Sequence, residues 1–370
     1  MKRRREKIRR NRKMELRRAD RKARRRAIVK NRRRRFITNE CIRNYNLNKH
    51  RSKENKQYFE KKAYRLYKKR NAPENFSIIG NHDEVIQFCN KLRNDYHNRS
   101  KVFVNLKNVV KVTNESLCLL LSNMMMFREK RIEFNGNFPD DNNAKYIIME
   151  SGFIPTLYNN RLRSVNNVKS SIFTHSSNSS NADLVDEIIK SCSKFLWNEE
   201  CNCGGVYNAF MELMSNTIEH ADEIEGRKKW WVTVTKDAAQ KKVSFSFVDY
   251  GRGIIATLKD INHKHHKSIV ESLLSKWNND DARLLKDVME GALKISEKGE
   301  SQYGNGLNSI YQDMIDNNLN NIVIISNNVY ADVKNDSYLK MGPNFPGTFI
   351  SWEINQNTNH ESICSDSVYS

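Results

Sequence analysis

The sequence predicts an α+β protein with two folded parts behind a basic amino-terminal arm, and three observations carry that prediction. Between Phe76 and Phe153, short apolar runs alternate with helical patterns. From Ala182 onward, two amphipathic helices lead into paired strand patterns punctuated by glycine-containing turns. Charge is also segregated: 32 of the 64 Lys and Arg precede Asn71, against 6 Asp and Glu, while the remainder has 32 against 37. The net charge of +21 therefore belongs to the arm, and the folded part is slightly acidic. These shifts divide the chain into an arm and connector (1–72), a small α/β domain (73–158), a linker (159–181), a second domain (182–357) and a tail (358–370).

A chain of 370 residues, 38% of them hydrophobic, can bury more than one core. No apolar run approaches the roughly 18 residues of a membrane span, and the basic amino terminus lacks the apolar core of a secretory signal. Seven scattered cysteines suggest no disulfide framework, which makes the reducing cytoplasm the simplest setting. Cys201 and Cys203 lack a second ligand pair, which argues against zinc.

From Lys2 to Arg35 the arm is dominated by Arg and Lys and repels itself. Forked guanidinium donors suit phosphate, so residues 2–35 point to nucleic acid or another polyanion, with a solvated tail as the alternative. Phe36 to Arg70 reads as a helical connector ending before Pro73. The first domain follows, with strands at Phe76–Ile79, Lys101–Leu106 and Arg131–Phe134 and helices at Asp83–Tyr96 and Asn114–Arg128, then a final helix before Gly152.

In this order, VFVNLKNVVKVTNESLCLLL and RIEFNGNFPDDNNAKYIIMESGF resemble STAS-like domains, the fold of the anti-anti-sigma factors. The resemblance implies a protein partner. In that family, a serine at the start of the helix after the central strand can be phosphorylated. Alignment places Glu115 there, flanked by Asn114 and Ser116, so the usual acceptor is absent or displaced by one residue. Glu115 either imitates a phosphoserine or is an ordinary acid at a helix start.

After a Ser- and Asn-rich linker, Ala182–Trp197 has one apolar helical face, and Val206–Ala221 (VYNAFMELMSNTIEHA) follows. Phe210, Leu213, Met214, Thr217, Ile218 and Ala221 make a stripe to be buried; Glu212, Asn216 and His220, four apart, share another face. Strand patterns at Trp230–Thr235 and Val243–Val248 come next, the second running into DYGRG, where Asp249 precedes Gly251 and Gly253. Gly304, Gly306 and Leu307 open a helix in YGNGLNSIYQDMI, where backbone N–H groups could converge on phosphate. Strands at Asn321–Ser326 and in TFISWEI, begun by Gly347 and Thr348, complete the domain.

The four pieces ELMSNTIEHA, VDYGRG, YGNGL and PGTF, in this order, resemble the ATP-binding domain of the GHKL superfamily over Ala182 to Asn355. That superfamily contains gyrases, heat-shock chaperones, histidine kinases and mismatch-repair ATPases; histidine kinases and anti-sigma-factor serine kinases are the nearest type. The resemblance implies a two-layer α/β sandwich of GHKL (Bergerat) type, ATP and Mg2+ as ligands, and a signalling role. It assigns Asn216 to magnesium and Glu212 to orienting or deprotonating the attacking nucleophile. Asp249 would accept from the adenine amino group, with Thr348 and Gly347 beside it. Gly304, Gly306 and Leu307 would belong to the phosphate lid, and Gly251 and Gly253 to the loop beneath the base. His220 would touch phosphate or support the residues that do.

Two features depart from that pattern. Ile254–Tyr303 is long for a lid and has helical patterns of its own at Ile269–Trp277 and Ala282–Lys294; Lys294 and Lys298 are its cations nearest the glycines. No helical hairpin bearing a phosphoacceptor histidine precedes the domain, so a complete sensor histidine kinase is not expected. The expected activity is transfer or hydrolysis of the ATP γ-phosphate, as an ATPase or a serine/threonine kinase. The alternatives are an ATP-gated switch with little turnover and a nucleic-acid-associated protein whose ATP domain regulates the arm. Homodimerisation is compatible with the resemblance, although no heptad seam requires it.

Overall fold

The computed structural model describes residues 67–158, 172–177, 179–220, 229–264, 275, 280–291 and 305–358. The basic arm, most of the connector, the patterns at Ile269–Trp277, and Gly304, Lys294 and Lys298 lie outside the described residues.

The first part runs β1 (Lys68–Asn71), β2 (Asn75–Phe76), α1 (His82–His97), β3 (Val102–Asn105), β4 (Lys111–Val112), α2 (Asn114–Glu129), β5 (Phe134–Gly136), α3 (Asn142–Glu150) and α4 (Phe153–Tyr158). Strands β1, β3 and β5 form a parallel sheet in that order, and β2 pairs with β4. Lys68–Arg70, expected as the end of a helical connector, is a strand because its backbone pairs with β3. The Arg70 fork meets the buried Asp95 carboxylate of α1 at 2.5 and 2.9 Å and fixes that register. The strand expected at Phe76–Ile79 stops at Phe76, since the Ile78 N–H turns to donate to Ser116 Oγ at 2.7 Å. Likewise the strand expected at Arg131–Phe134 begins only at Phe134, because the Ile132 N–H still donates to Phe127 O.

The second part runs β6 (Ile172–Ser177), α5 (Ala182–Trp197), α6 (Gly204–His220), β7 (Trp230–Asp237), β8 (Lys242–Asp249), α7 (Ile254–Lys264), α8 (Asp281–Met289), α9 (Asn305–Ile315), β9 (Asn320–Asp332) and β10 (Ser337–Asn355). Its five strands form an antiparallel sheet ordered β6-β7-β8-β10-β9. Strand β6 corrects the sequence reading, which left Ile172–Ser177 inside a linker; its short Thr- and Ser-rich run becomes a strand only by pairing with β7.

Alternation along these strands sends successive side chains to opposite faces. Trp230, Val232, Val234, Phe245, Phe247, Ile350 and Trp352 join one buried cluster with α5, α6, α8 and α9. Phe210 of α6 sits edge-on to Phe245 and Trp352, with ring centroids at 5.7 and 5.1 Å, which sets the rotation of α6 on the sheet. On the other face, Trp231, Val248, Val323, Ile325 and Phe349 join the core of the first part. Helix α2 packs there and is buried from Ser116 to Phe127, which is why LCLLLSNMMMF is apolar nearly all round. The architecture is α+β, with helices on both faces of the antiparallel sheet. All described residues fall in one compact unit, Tyr67–Ser370.

Candidate functional site

The site face of α6 is fixed by what the helix buries. Phe210, Leu213, Met214 and Thr217 are buried, so Glu212 and Asn216, one turn apart, are left half-exposed on the same helix. His220 is the last helical residue, and its side chain lies outside the described residues. The Glu212 carboxylate lies against Gly306 in the first turn of α9, so closely that a Cβ at Gly306 would overlap it. Leu307, buried in the same core, holds that turn in place. The structure thus brings Glu212 and Gly306 together from motifs far apart in the sequence.

A second cluster forms where β8 ends, on the face of the sheet that packs against α5 and α6. Asp249 is 8% exposed and stands in register with Thr348 of β10. Its carboxylate accepts from the Gly251 N–H at 2.7 Å and from both the hydroxyl and the backbone N–H of Thr348. Burial pushes its pKa up from 3.8 to about 6, while these hydrogen bonds pull it down. Gly347 has φ +128°, and any side chain there would run into the Asp249 carbonyl and Tyr250 Cα. Asp249, Gly251, Gly347 and Thr348 are therefore brought together by the structure.

Sequence reasoning missed the residues that hold this loop. Ser326 Oγ accepts from the Ile254 N–H at 2.7 Å and donates to Gly347 O at 3.1 Å, joining the DYGRG loop to β10. Asn327 Oδ1 accepts from the Ala256 N–H at 3.1 Å, and Nδ2 donates to Arg252 O at 2.9 Å. The pair caps α7 and clamps the backbone around Gly253. A signal existed: Asn327 has φ +53°, a conformation asparagine tolerates, and Asn327-Asn328 closes an apolar run.

Tyr250 was also missed. It follows Asp249 by one residue, so it points through the other face of the sheet. Its hydroxyl lies 2.7 Å from both Ser122 Oγ and Asn123 Nδ2 of α2, and the Arg93 guanidinium covers its ring at 4.3 Å. The signal was Ser122-Asn123 itself, a polar pair inside an otherwise apolar helix.

At the start of α2, Glu115 is half-buried and Ser116 is fully buried. The Ser116 hydroxyl accepts from the Ile78 N–H and from Thr113 Oγ1 at 3.3 Å, so the serine beside Glu115 is closed to a kinase. Among the described residues, no group of three or more His, Cys, Asp or Glu could hold a metal ion. The amide oxygen of the half-exposed Asn216 is nevertheless compatible with magnesium, which keeps most of its waters and takes few protein ligands. Cys89, Cys118 and Cys192 are buried free thiols whose pKa is pushed up to about 12 by burial, which makes them inert. No protein-family model, curated protein or solved structure matches this chain.

Proposed function

We propose that the second part binds ATP with magnesium in a site of GHKL type and transfers or hydrolyses the γ-phosphate in a signalling role. One observation carries this reading: a buried carboxylate, a threonine and a collision-limited glycine converge from segments roughly a hundred residues apart in the chain. Asp249, with its pKa about 6, is mostly ionised at neutral pH and can accept from the 6-amino group of adenine, a position where guanine carries a carbonyl oxygen that an ionised carboxylate repels. Gly347 lets β10 close onto the backbone of Asp249 and Tyr250, which holds Thr348 beside the carboxylate. Glu212 is placed to orient or deprotonate a nucleophile, and Gly306 lets α9 approach its carboxylate. Asn216 would hold magnesium, which when bound neutralises developing phosphate charge. The first part, with parallel strands alternating with helices, is read as STAS-like; burial of Ser116 supports a form of that fold without an accessible acceptor.

The test incubates γ-labelled ATP and magnesium with wild type, Glu212→Ala and Asn216→Ala, following bound nucleotide, free phosphate and labelled protein separately. Glu212→Ala is expected to bind ATP normally and to lose turnover by about 100-fold or more. Asn216→Ala is expected to lose the magnesium dependence of binding. Label on protein would define a kinase and free phosphate alone an ATPase. Absence of ATP binding in wild type would sink the proposal.

A further inference from the structure

The first part touches the DYGRG loop at Tyr250. Asp249 and Tyr250 are consecutive, and strand alternation sends the carboxylate to the site and the tyrosine to α2. The Tyr250 ring is edge-on to Trp231, with centroids at 5.5 Å, and beneath Arg93, so it is gripped along its length as well as at its hydroxyl. Ser122 and Asn123 are themselves fully buried, and Asn123 Nδ2 also donates to Leu119 O at 2.8 Å. Any displacement of α2 therefore pulls on the residue next to the base acceptor.

The contact is also imperfect. Asn123 Oδ1 and Trp231 Nε1 are buried there without a hydrogen-bond partner among the described residues. Buried groups left in this way disfavour the docked state. The layer is consequently held by apolar burial and by Tyr250, with unpaired polar atoms beside the tyrosine, which suits an element that two influences can bias.

Building on the ATP reading above, we propose that Tyr250 is a positioning residue through which the α1/α2 layer and the nucleotide site regulate each other. ATP seated on Asp249 tightens α2 on the sheet, and a partner that loosens α2 weakens ATP. Linkage makes the two effects equal in magnitude. Ser326 and Asn327 hold the same loop from within the second part, so Tyr250 is its anchor to the first part.

The experiment uses the full chain and the variants Tyr250→Phe and Ser122→Ala, with ATP and GTP as probes in the presence of magnesium. Tyr250→Phe retains the ring and is expected to change the melting temperature little. It is expected to bind ATP about fivefold more weakly and to lose part of the preference for ATP over GTP, which a purely structural change would not touch. In wild type, ATP should slow hydrogen exchange across residues 114–129; in Tyr250→Phe it should not. Without nucleotide, amides of residues 250–256 should exchange faster in both variants. Unchanged affinity, selectivity and ATP-dependent exchange in Tyr250→Phe would overturn the coupling while leaving ATP binding intact. Wild type that binds no ATP would overturn the nucleotide reading, and nucleotide-free exchange would then decide the anchor: faster amides keep it, unchanged amides remove it.

Discussion

The two faces of the five-stranded sheet are made from alternate residues of the same strands, yet they do different work. The face toward α5 and α6 is aromatic and aliphatic along its centre and ends in the buried Asp249 carboxylate, paired in register with Thr348. The face toward α2 is covered by apolar side chains and ends in a tyrosine that is fully hydrogen-bonded. The buried carboxylate thus lies on one face, and the other supplies packing around Tyr250. A strand can serve a site on one side and a docking layer on the other because its period is two.

That contrast can be tested from its largest consequence downward. Phe247→Ala on the site face and Phe349→Ala on the docking face should each cost about 3–5 kcal/mol in urea denaturation, since both side chains are wholly buried. A loss below about 1 kcal/mol for Phe349→Ala would show the first part to be loosely docked instead of sharing the interior. Gly347→Ala should abolish nucleotide binding and destabilise by about 2 kcal/mol or more, whereas Gly152→Ala should cost only about 1 kcal/mol. Gly152 also has positive φ, but an added Cβ there meets nothing within 4 Å. Equal costs at the two glycines would mean that backbone conformation, and not the collision with Asp249, governs the site.

Asp249→Asn should raise the melting temperature by a few degrees at pH 7.5. The folded pKa of about 6 lies above the usual 3.8, so this carboxyl favours the fold below pH 3.8, and that contribution is lost as pH rises through 6. The advantage of the asparagine variant should therefore vanish near pH 4. ATP binding by wild type should instead weaken as pH falls through 6, because a protonated Asp249 no longer accepts as strongly. The smallest effect is expected at the rim of the docking face, where Lys229 pairs with Glu129. Lys229→Ala should change stability by no more than about 1 kcal/mol, and 0.5 M salt should erase most of the difference.

Much of the second part was legible because its signals are local. The stripe Phe210, Leu213, Met214 and Thr217 reports burial by helical spacing alone, and Asp249, Gly251 and Thr348 announce themselves by type at strand ends. Residues that act only through a distant partner were harder to read. Ser326 looks like the last residue of a strand until Ile254 and Gly347 are seen to meet it. Strand β6 was invisible because its few polar residues form a strand only by pairing with β7. The docking of α2 was hidden for the opposite reason: an all-round apolar helix says that it is covered, but not by what.

In Phe247, Val248, Asp249 and Tyr250 the two uses of the sheet are written in adjacent letters, so a single inserted or deleted residue within 243–249 would exchange them. The carboxylate would turn into the apolar layer and the tyrosine into the site, and both would fail together. The turn between β7 and β8, at residues 238–241, lies outside this register, and length changes can accumulate there without reversing the strand. Natural or engineered length variation in this hairpin is therefore expected at the turn, with the seven residues before Tyr250 kept at constant count even where their identities drift.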